Sequence, residues 1–145
     1  MNYQKAILIT FLGNYLTNTV VAAIIALIPA SATPGMLTPQ YISFVVLSAL
    51  VVAALAMWFG VRNLKAGAIF GALGFVVALL VAFVSGVAGV LTQTGSLSQV
   101  LQVIPNFGPF LLSWSTLVLC GYWVIPSALI GWWKGRSAPS PVASM

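Results

Sequence analysis

The chain has 145 residues, of which 61% are hydrophobic and 3% are charged, and its net charge is +5. A soluble domain of this size has about a quarter of its residues charged, so a soluble globular fold is excluded for lack of polar surface. Disorder is excluded as well, because disordered chains are poor in hydrophobic residues. These numbers predict an integral membrane protein.

The missing residue types exclude most conventional chemistry. The chain contains no histidine, aspartate or glutamate, and its single cysteine is Cys120. It therefore has no ordinary general acid–base pair and no partner for a catalytic serine. Calcium, magnesium and zinc sites normally use the absent ligands. We predict no enzyme, no metal site, no cofactor and, from five dispersed basic residues, no nucleic-acid partner.

The first apolar segment covers residues 6–28 and ends before Pro29. About 20 residues cross a hydrocarbon core of about 30 Å, and such a span must be helical to satisfy its backbone groups. A cleaved signal peptide is the alternative, because residues 30–32 resemble the small-residue pattern of a cleavage site. The length of the segment and its polar centre favour a retained transmembrane helix.

The second and third apolar segments cover residues 41–59 and 66–91. Thr38 and Pro39 precede the second segment and suit the start of a helix. The third segment carries small residues at steps of three and four, which places them on one helix face. Such a face predicts close helix packing, either within the bundle or against another subunit. The predicted packing residues are Gly67, Gly71, Gly74, Ala78, Ala82 and Gly86.

The connection after the third segment predicts a short amphipathic helix at the outer membrane interface. Apolar residues at positions 97, 100, 101 and 104 follow the spacing of one helix face, with Ser96 as a possible cap. Pro105 is expected to end this helix. A functional version of the hypothesis makes the helix a lid over the mouth of the bundle. The fourth apolar segment then covers residues 110–132.

Four spans place all five basic residues on one side of the membrane. Lys5 precedes the first span, Arg62 and Lys65 separate the second and third, and Lys134 and Arg136 follow the fourth. The positive-inside rule puts this side, with both termini, in the cytoplasm. The prediction is an all-α bundle of four transmembrane helices in the plasma or inner membrane. Residues 1–136 form one membrane domain, and residues 137–145 form a disordered cytoplasmic tail.

Uncharged polar residues within the spans are the candidates for a site. Asn14 and Asn18, four residues apart and placed near the inner half of the membrane, are the most polar feature of any span. Buried amides need partners, so hydrogen bonding between helices is the first interpretation, and lining a solvated path is the second. The candidate residues are Asn14, Thr17, Asn18, Ser113, Ser115 and Thr116.

These features together favour a non-catalytic protein that works by packing. The leading hypothesis is an accessory or scaffold subunit beside other membrane proteins. The alternative is a small homo-oligomeric channel or carrier for a neutral or anionic solute. Proton-coupled transport is disfavoured, because it needs an ionisable group within the membrane and none is predicted in the spans. The expected partners are the lipid bilayer and either a membrane protein or further copies of the chain.

Overall fold

The computed structural model describes residues 2–27 and 38–137, and every regular element in these ranges is helical. The first span is a helix whose middle adopts the wider π-helical form. Three further long helices and one shorter helix follow. The elements are α1 (Tyr3–Tyr15), a π segment (Leu16–Val21), α2 (Ala22–Ile25), α3 (Pro39–Phe59), α4 (Leu64–Thr94), α5 (Leu97–Leu111) and α6 (Trp114–Ser137).

Four of these helical stretches are long and apolar enough to cross a membrane: Tyr3–Ile25, Pro39–Phe59, Leu64–Gln93 and Trp114–Ser137. They pack together as a bundle, which confirms the predicted fold class. Many large apolar side chains lie exposed on their outward faces, so the bundle contacts the lipid bilayer. The protein is therefore a multi-pass membrane protein.

Local sequence explains where α3 and α4 begin and end. The hydroxyl of Thr38 accepts a hydrogen bond from the Tyr41 amide at 3.2 Å, and Pro39 occupies the first turn of α3. Gly60 ends α3 in the left-handed conformation, with φ of 84°. The Asn63 side chain then accepts from the Ala66 amide at 2.8 Å and starts α4. The predicted helix start at Thr38 and Pro39 is confirmed.

The four spans pair across the bundle in a fixed pattern. The first span packs against α3 and α4, and α6 packs against the same two helices. The core consists of two clusters of buried residues. One cluster, near the turn between α3 and α4, contains Ala6, Ile9, Leu55, Ala56, Val61 and Phe70. The other, near the middle of the bundle, contains Val52, Ala78, Tyr122 and Trp123.

All five basic residues lie at one end of the bundle, called here the basic end. Lys5 is followed by Ala6, which belongs to the same core cluster as Val61. Val61 in turn is followed by Arg62, in the turn between α3 and α4. The last turn of α6 carries Lys134 and Arg136, and it approaches Arg62 and Asn63 at Gly135. The half of the bundle beside this end is called the inner half, and the other half is the outer half.

Helix boundaries in the last third of the chain differ from the predictions. The amphipathic helix predicted after the third span is present as α5, but the expectation that Pro105 ends it is wrong, because α5 continues through Pro105 and Pro109 to Leu111. A proline removes one backbone donor, and the remaining helical bonds of α5 persist. The ring of Phe107 also holds α5 against Phe83 of α4, with ring centroids 4.9 Å apart. Accordingly the fourth span starts at Trp114 and not at residue 110.

Other boundaries differ by a few residues, and some predictions lie outside the described ranges. The first span starts three residues earlier than predicted and its described helix ends at Ile25, while α4 extends to Thr94 and stops at Gly95, whose φ is 62°. Ser137, assigned to the tail by the sequence, closes α6. The rest of the predicted tail, residues 138–145, and the cleavage-like pattern at residues 30–32 lie outside the described residues.

Candidate functional site

The inner half of α4 is in backbone contact with α6. A Cβ atom added at Gly71 would lie 2.7 Å from the carbonyl oxygen of Trp123 and from the Cα of Val124. One added at Gly67 would meet the backbone of Ser127 in the same way. Only glycine permits this approach, so the small-residue face of α4 is filled here by the chain's own α6.

The indole of Trp123 fills the centre of the bundle. Its side chain is 0% exposed, and it lies between glycines of two other helices. A Cβ at Gly13 of α1 would lie 3.0 Å from the indole Cη2, and a Cβ at Gly74 of α4 would collide with another edge of the same six-membered ring, at Cε3 and Cζ3. The paired glycines make room for the indole, and the indole closes the space between the four spans at this level.

On the side of Trp123 away from the basic end, the four spans separate and enclose a cleft of about 480 Å³, called here the outer cleft. It is lined by the second half of the first span, the first turns of α3, the middle of α4 and the first turns of α6. The lining residues are Phe11, Asn14, Tyr15, Asn18, Thr19, Tyr41, Phe44, Val45, Ala78, Val81, Ala82, Ser85, Ser115, Val118, Leu119 and Tyr122. Most of this surface is apolar, with a few amides and hydroxyls.

The burial of its lining residues distinguishes the floor of the outer cleft from its mouth. Asn14, Ala78 and Tyr122 are buried and form the floor, beside Trp123. Asn18 and Ser115 are exposed and belong to the mouth. As formed by the described residues, the cleft is therefore closed toward the basic end and open on its outer side.

Asn14 and Asn18 form a side-chain pair within this cleft. Nδ2 of Asn18 donates a hydrogen bond to Oδ1 of Asn14 at 2.8 Å. Nδ2 of Asn14 has no hydrogen-bond partner among the described residues, although Asn14 is only 2% exposed. The pair shares the cleft with the first turns of α3 and α6, and its depth in the membrane stays a prediction.

The π segment begins two residues after Asn14 and contains Thr17 and Asn18. The Thr17 hydroxyl is buried and donates to the Asn14 carbonyl oxygen at 3.0 Å, which holds the backbone at the entry to the wider turn. Single π-helical turns in α-helices occur frequently at functional sites. The sequence analysis missed this segment, because the apolar pattern of the first span has no period that indicates it.

The three candidates at or just before the start of α6 divide into two groups. Ser115 lines the outer cleft with Asn14 and Asn18. Ser113 precedes α6, and its hydroxyl lies 3.4 Å from both the amide and the hydroxyl of Thr116. Thr116 itself is buried. The structure thus brings Asn14, Asn18 and Ser115 to one cleft, while Ser113 and Thr116 meet at the start of α6.

The small-residue face of α4 continues past the cleft without a neighbour. Ala78 lies at the floor of the cleft and Ala82 lines it. Farther out, a Cβ at Gly86 or at Gly89 would meet no atom of the described residues within 4 Å. The same face is therefore filled in the inner half and open in the outer half.

The amphipathic helix α5 does not cover the cleft. It contacts α4 near Val76, Leu80 and Phe83, where Phe107 packs. At 3.6 residues per turn these positions lie on nearly the opposite side of α4 from Ala78 and Ser85, which line the cleft. The Phe83–Phe107 contact holds α5 against the other side of α4, so the described contacts give the lid hypothesis no support.

Aromatic residues of the cleft were missed by the sequence analysis. Tyr41 and Phe44 lie one turn apart at the start of α3, and Phe44 meets Tyr122 edge-on, with ring centroids 6.4 Å apart. The spacing of three residues between Tyr41 and Phe44 was the sequence signal that could have placed them on one face of α3. No lysine or arginine lines the cleft, so its polar groups are all uncharged.

Comparison of the chain with protein-family models, with curated proteins and with solved structures gives no match.

Proposed function

We propose that this protein is a non-catalytic accessory or scaffold subunit that packs against another membrane protein through the outer half of α4. The observation that carries the proposal is the open face at Gly86 and Gly89, which continues the face that Gly67, Gly71 and Gly74 present to α6. Because lipid provides no hydrophobic force between helices, close approach through small residues is a main packing device. A partner helix would complete the outer half as α6 completes the inner half.

The absence of catalysis belongs to the same proposal. The whole chain lacks histidine, aspartate and glutamate, so no side chain offers the acid–base or metal-binding groups that most enzymes use. The outer cleft contains amides and hydroxyls but no pair in which one group could activate another by accepting its proton.

The orientation is also proposed. The five basic residues share one end of the bundle, and the positive-inside rule places that end and both termini in the cytoplasm of a cell with this protein in its plasma or inner membrane. Reporter fusions at Asn63 and at the C-terminus should give cytoplasmic signals, and a fusion at Gly95 an external one. An external signal at Asn63 would overturn this orientation.

The subunit proposal is tested by mild extraction of the tagged protein from its membrane. We expect a stoichiometric second membrane protein with the unmodified chain. Gly86→Leu combined with Gly89→Leu should remove it without lowering the thermal stability of the bundle. Ala72→Leu also places a leucine on an exposed face of α4, in the inner half, and should retain the partner. A partner that remains with the double variant would contradict the proposal, as would the absence of any foreign partner.

A homo-oligomeric channel or carrier for a neutral or anionic solute is the second candidate, favoured by the uncharged polar groups of the outer cleft. Trp123 fills the centre of a single copy, so a route across the membrane would have to run between copies. A pure homo-oligomer that passes such a solute in liposomes would support this candidate against the first.

A further inference from the structure

We propose that the outer cleft binds a neutral, mainly apolar small molecule that presents a hydrogen-bond acceptor, such as a carbonyl oxygen, to the amide of Asn14. The site uses the floor and walls of the cleft and not the Gly86–Gly89 surface. This proposal can therefore be tested separately from the subunit proposal, and the failure of one does not affect the other.

The first argument is the amide itself. Asn14 is 2% exposed and lines the cleft, and its Oδ1 is occupied by the donor from Asn18 at 2.8 Å. That bond leaves Nδ2, a donor, as the unpaired group of a residue that lines the floor of the cleft. A buried donor without a partner is unfavourable, and hydrocarbon chains of lipid cannot accept a hydrogen bond. The missing group is therefore an acceptor.

The second argument is the size and lining of the cleft. A volume of about 480 Å³ is in the range of small-molecule sites, about 300 to 1,000 Å³, and such sites combine apolar walls with a few convergent polar groups. Phe11, Phe44, Val81 and Leu119 supply apolar wall, while Tyr122 stands beside Asn14 on the floor. This lining matches a molecule with an apolar body and one polar end.

The third argument is charge. The five basic residues lie at the basic end, and no charged side chain lines the cleft. A charged ligand would have to leave water for a site without a counter-ion, which is strongly unfavourable inside a membrane. The exposed residues of the mouth, Asn18 and Ser115, place the entry in the outer half. The ligand is therefore neutral and reaches the site from that half of the bilayer.

A lipid acyl chain is the competing occupant. It would fill the apolar walls equally well, but it would leave Nδ2 of Asn14 unpaired. The two occupants are separated by a pair of probes with the same rings, the ketone fluorenone and the hydrocarbon fluorene, which differ in one carbonyl group. Binding of each is measured on the full chain in nanodiscs, with empty nanodiscs as the reference for partition into lipid.

We expect the unmodified protein to bind fluorenone about threefold to tenfold more tightly than fluorene, the ratio given by one neutral hydrogen bond. Asn14→Leu should reduce this ratio to about one with unchanged thermal unfolding, since Leu fills a similar volume without a donor. Ser48→Ala is the matched control, because Ser48 is also buried with an unpaired hydroxyl but does not line the cleft. Its ratio should equal that of the unmodified protein.

A variant at the mouth keeps the test decisive if Asn14→Leu fails to fold. Ser115 is exposed, so Ser115→Phe should be compatible with folding, fill the mouth and abolish specific binding of both probes. Equal binding of the two probes by the unmodified protein would show an acyl-chain groove and overturn the proposal. It would also be overturned by no specific binding, by a preference that survives Asn14→Leu, or by binding that survives Ser115→Phe.

Discussion

The two halves of α4 carry the same small-residue pattern and have different surroundings. In the inner half, Gly67 and Gly71 meet the backbone of α6, and Gly74 meets the indole of Trp123. In the outer half, Gly86 and Gly89 have no described neighbour within 4 Å of an added Cβ. Small residues permit close approach, but a neighbouring helix has to supply the other surface. The inner half thus forms a finished core, and the outer half leaves a cleft and an open face.

One buried polar group from each half of the bundle can be compared directly. Ser127 in the inner half is buried, and its hydroxyl donates to the carbonyl oxygen of Trp123 at 2.8 Å. Asn14, at the floor of the outer cleft, is as deeply buried but keeps an unpaired amide nitrogen. Ser48 and the indole nitrogen of Trp123 are also buried without a described partner, but of the three groups only Asn14 belongs to a residue that lines the cleft.

The largest expected effect concerns the residue that separates the halves. Trp123→Ala should lower the free energy of unfolding by about 3 to 5 kcal/mol, because it opens a cavity between tightly packed glycines. Trp114→Ala is the control, since Trp114 is 56% exposed, and it should have little effect. The measurement is unfolding of the purified protein in detergent. Similar losses from both variants would remove the distinction between core and surface.

A smaller effect is expected at the two glycines with positive φ, Gly60 at the basic end and Gly95 at the other. No described atom lies within 4 Å of an added Cβ at either position, so alanine would cost only backbone strain, about 1 kcal/mol each. Equal losses of unfolding free energy in Gly60→Ala and Gly95→Ala would show that turn strain does not distinguish the halves. A much larger loss of unfolding free energy in Gly60→Ala would show that the tight packing of the inner half includes the turn between α3 and α4.

A similarly small effect is expected for the amide pair, although two residues are changed. Asn14→Ala combined with Asn18→Ala should lower the unfolding free energy by about 1 kcal/mol, because side-chain hydrogen bonds in membranes contribute about 0.6 to 2 kcal/mol. Thermal unfolding of the double variant beside the unmodified protein measures it. A loss as large as that of Trp123→Ala would mean that the pair holds the bundle together, contrary to its position in the cleft.

Composition and apolar length were sufficient to predict the class and the four spans. The long runs of apolar residues require helices in lipid, and residues such as Thr38 and Asn63 mark where α3 and α4 start. Pro105 misled the boundary prediction, because local sequence does not show that Phe107 anchors α5 on Phe83. Local sequence likewise does not show that this contact lies on the side of α4 away from the cleft.

The candidate site was predicted in part. Asn14, Asn18 and Ser115 were chosen as polar residues within apolar spans, and they meet at one cleft. Tyr41 and Phe44 were missed, because aromatic residues are common near the ends of transmembrane helices and do not by themselves indicate a pocket. The spacing of the small residues along α4 likewise could not show which part of this face packs against α6 and which part has no described neighbour.

The most direct test of the account compares two glycines of that face, Gly74 and Gly89. Gly74→Leu should destabilise the purified chain by about 3 kcal/mol, because the new side chain meets the indole of Trp123. Gly89→Leu adds the same atoms in open space and should change the unfolding free energy by less than about 0.5 kcal/mol. Equal tolerance of the two substitutions, or a greater loss at Gly89, would contradict a filled inner half and an open outer half.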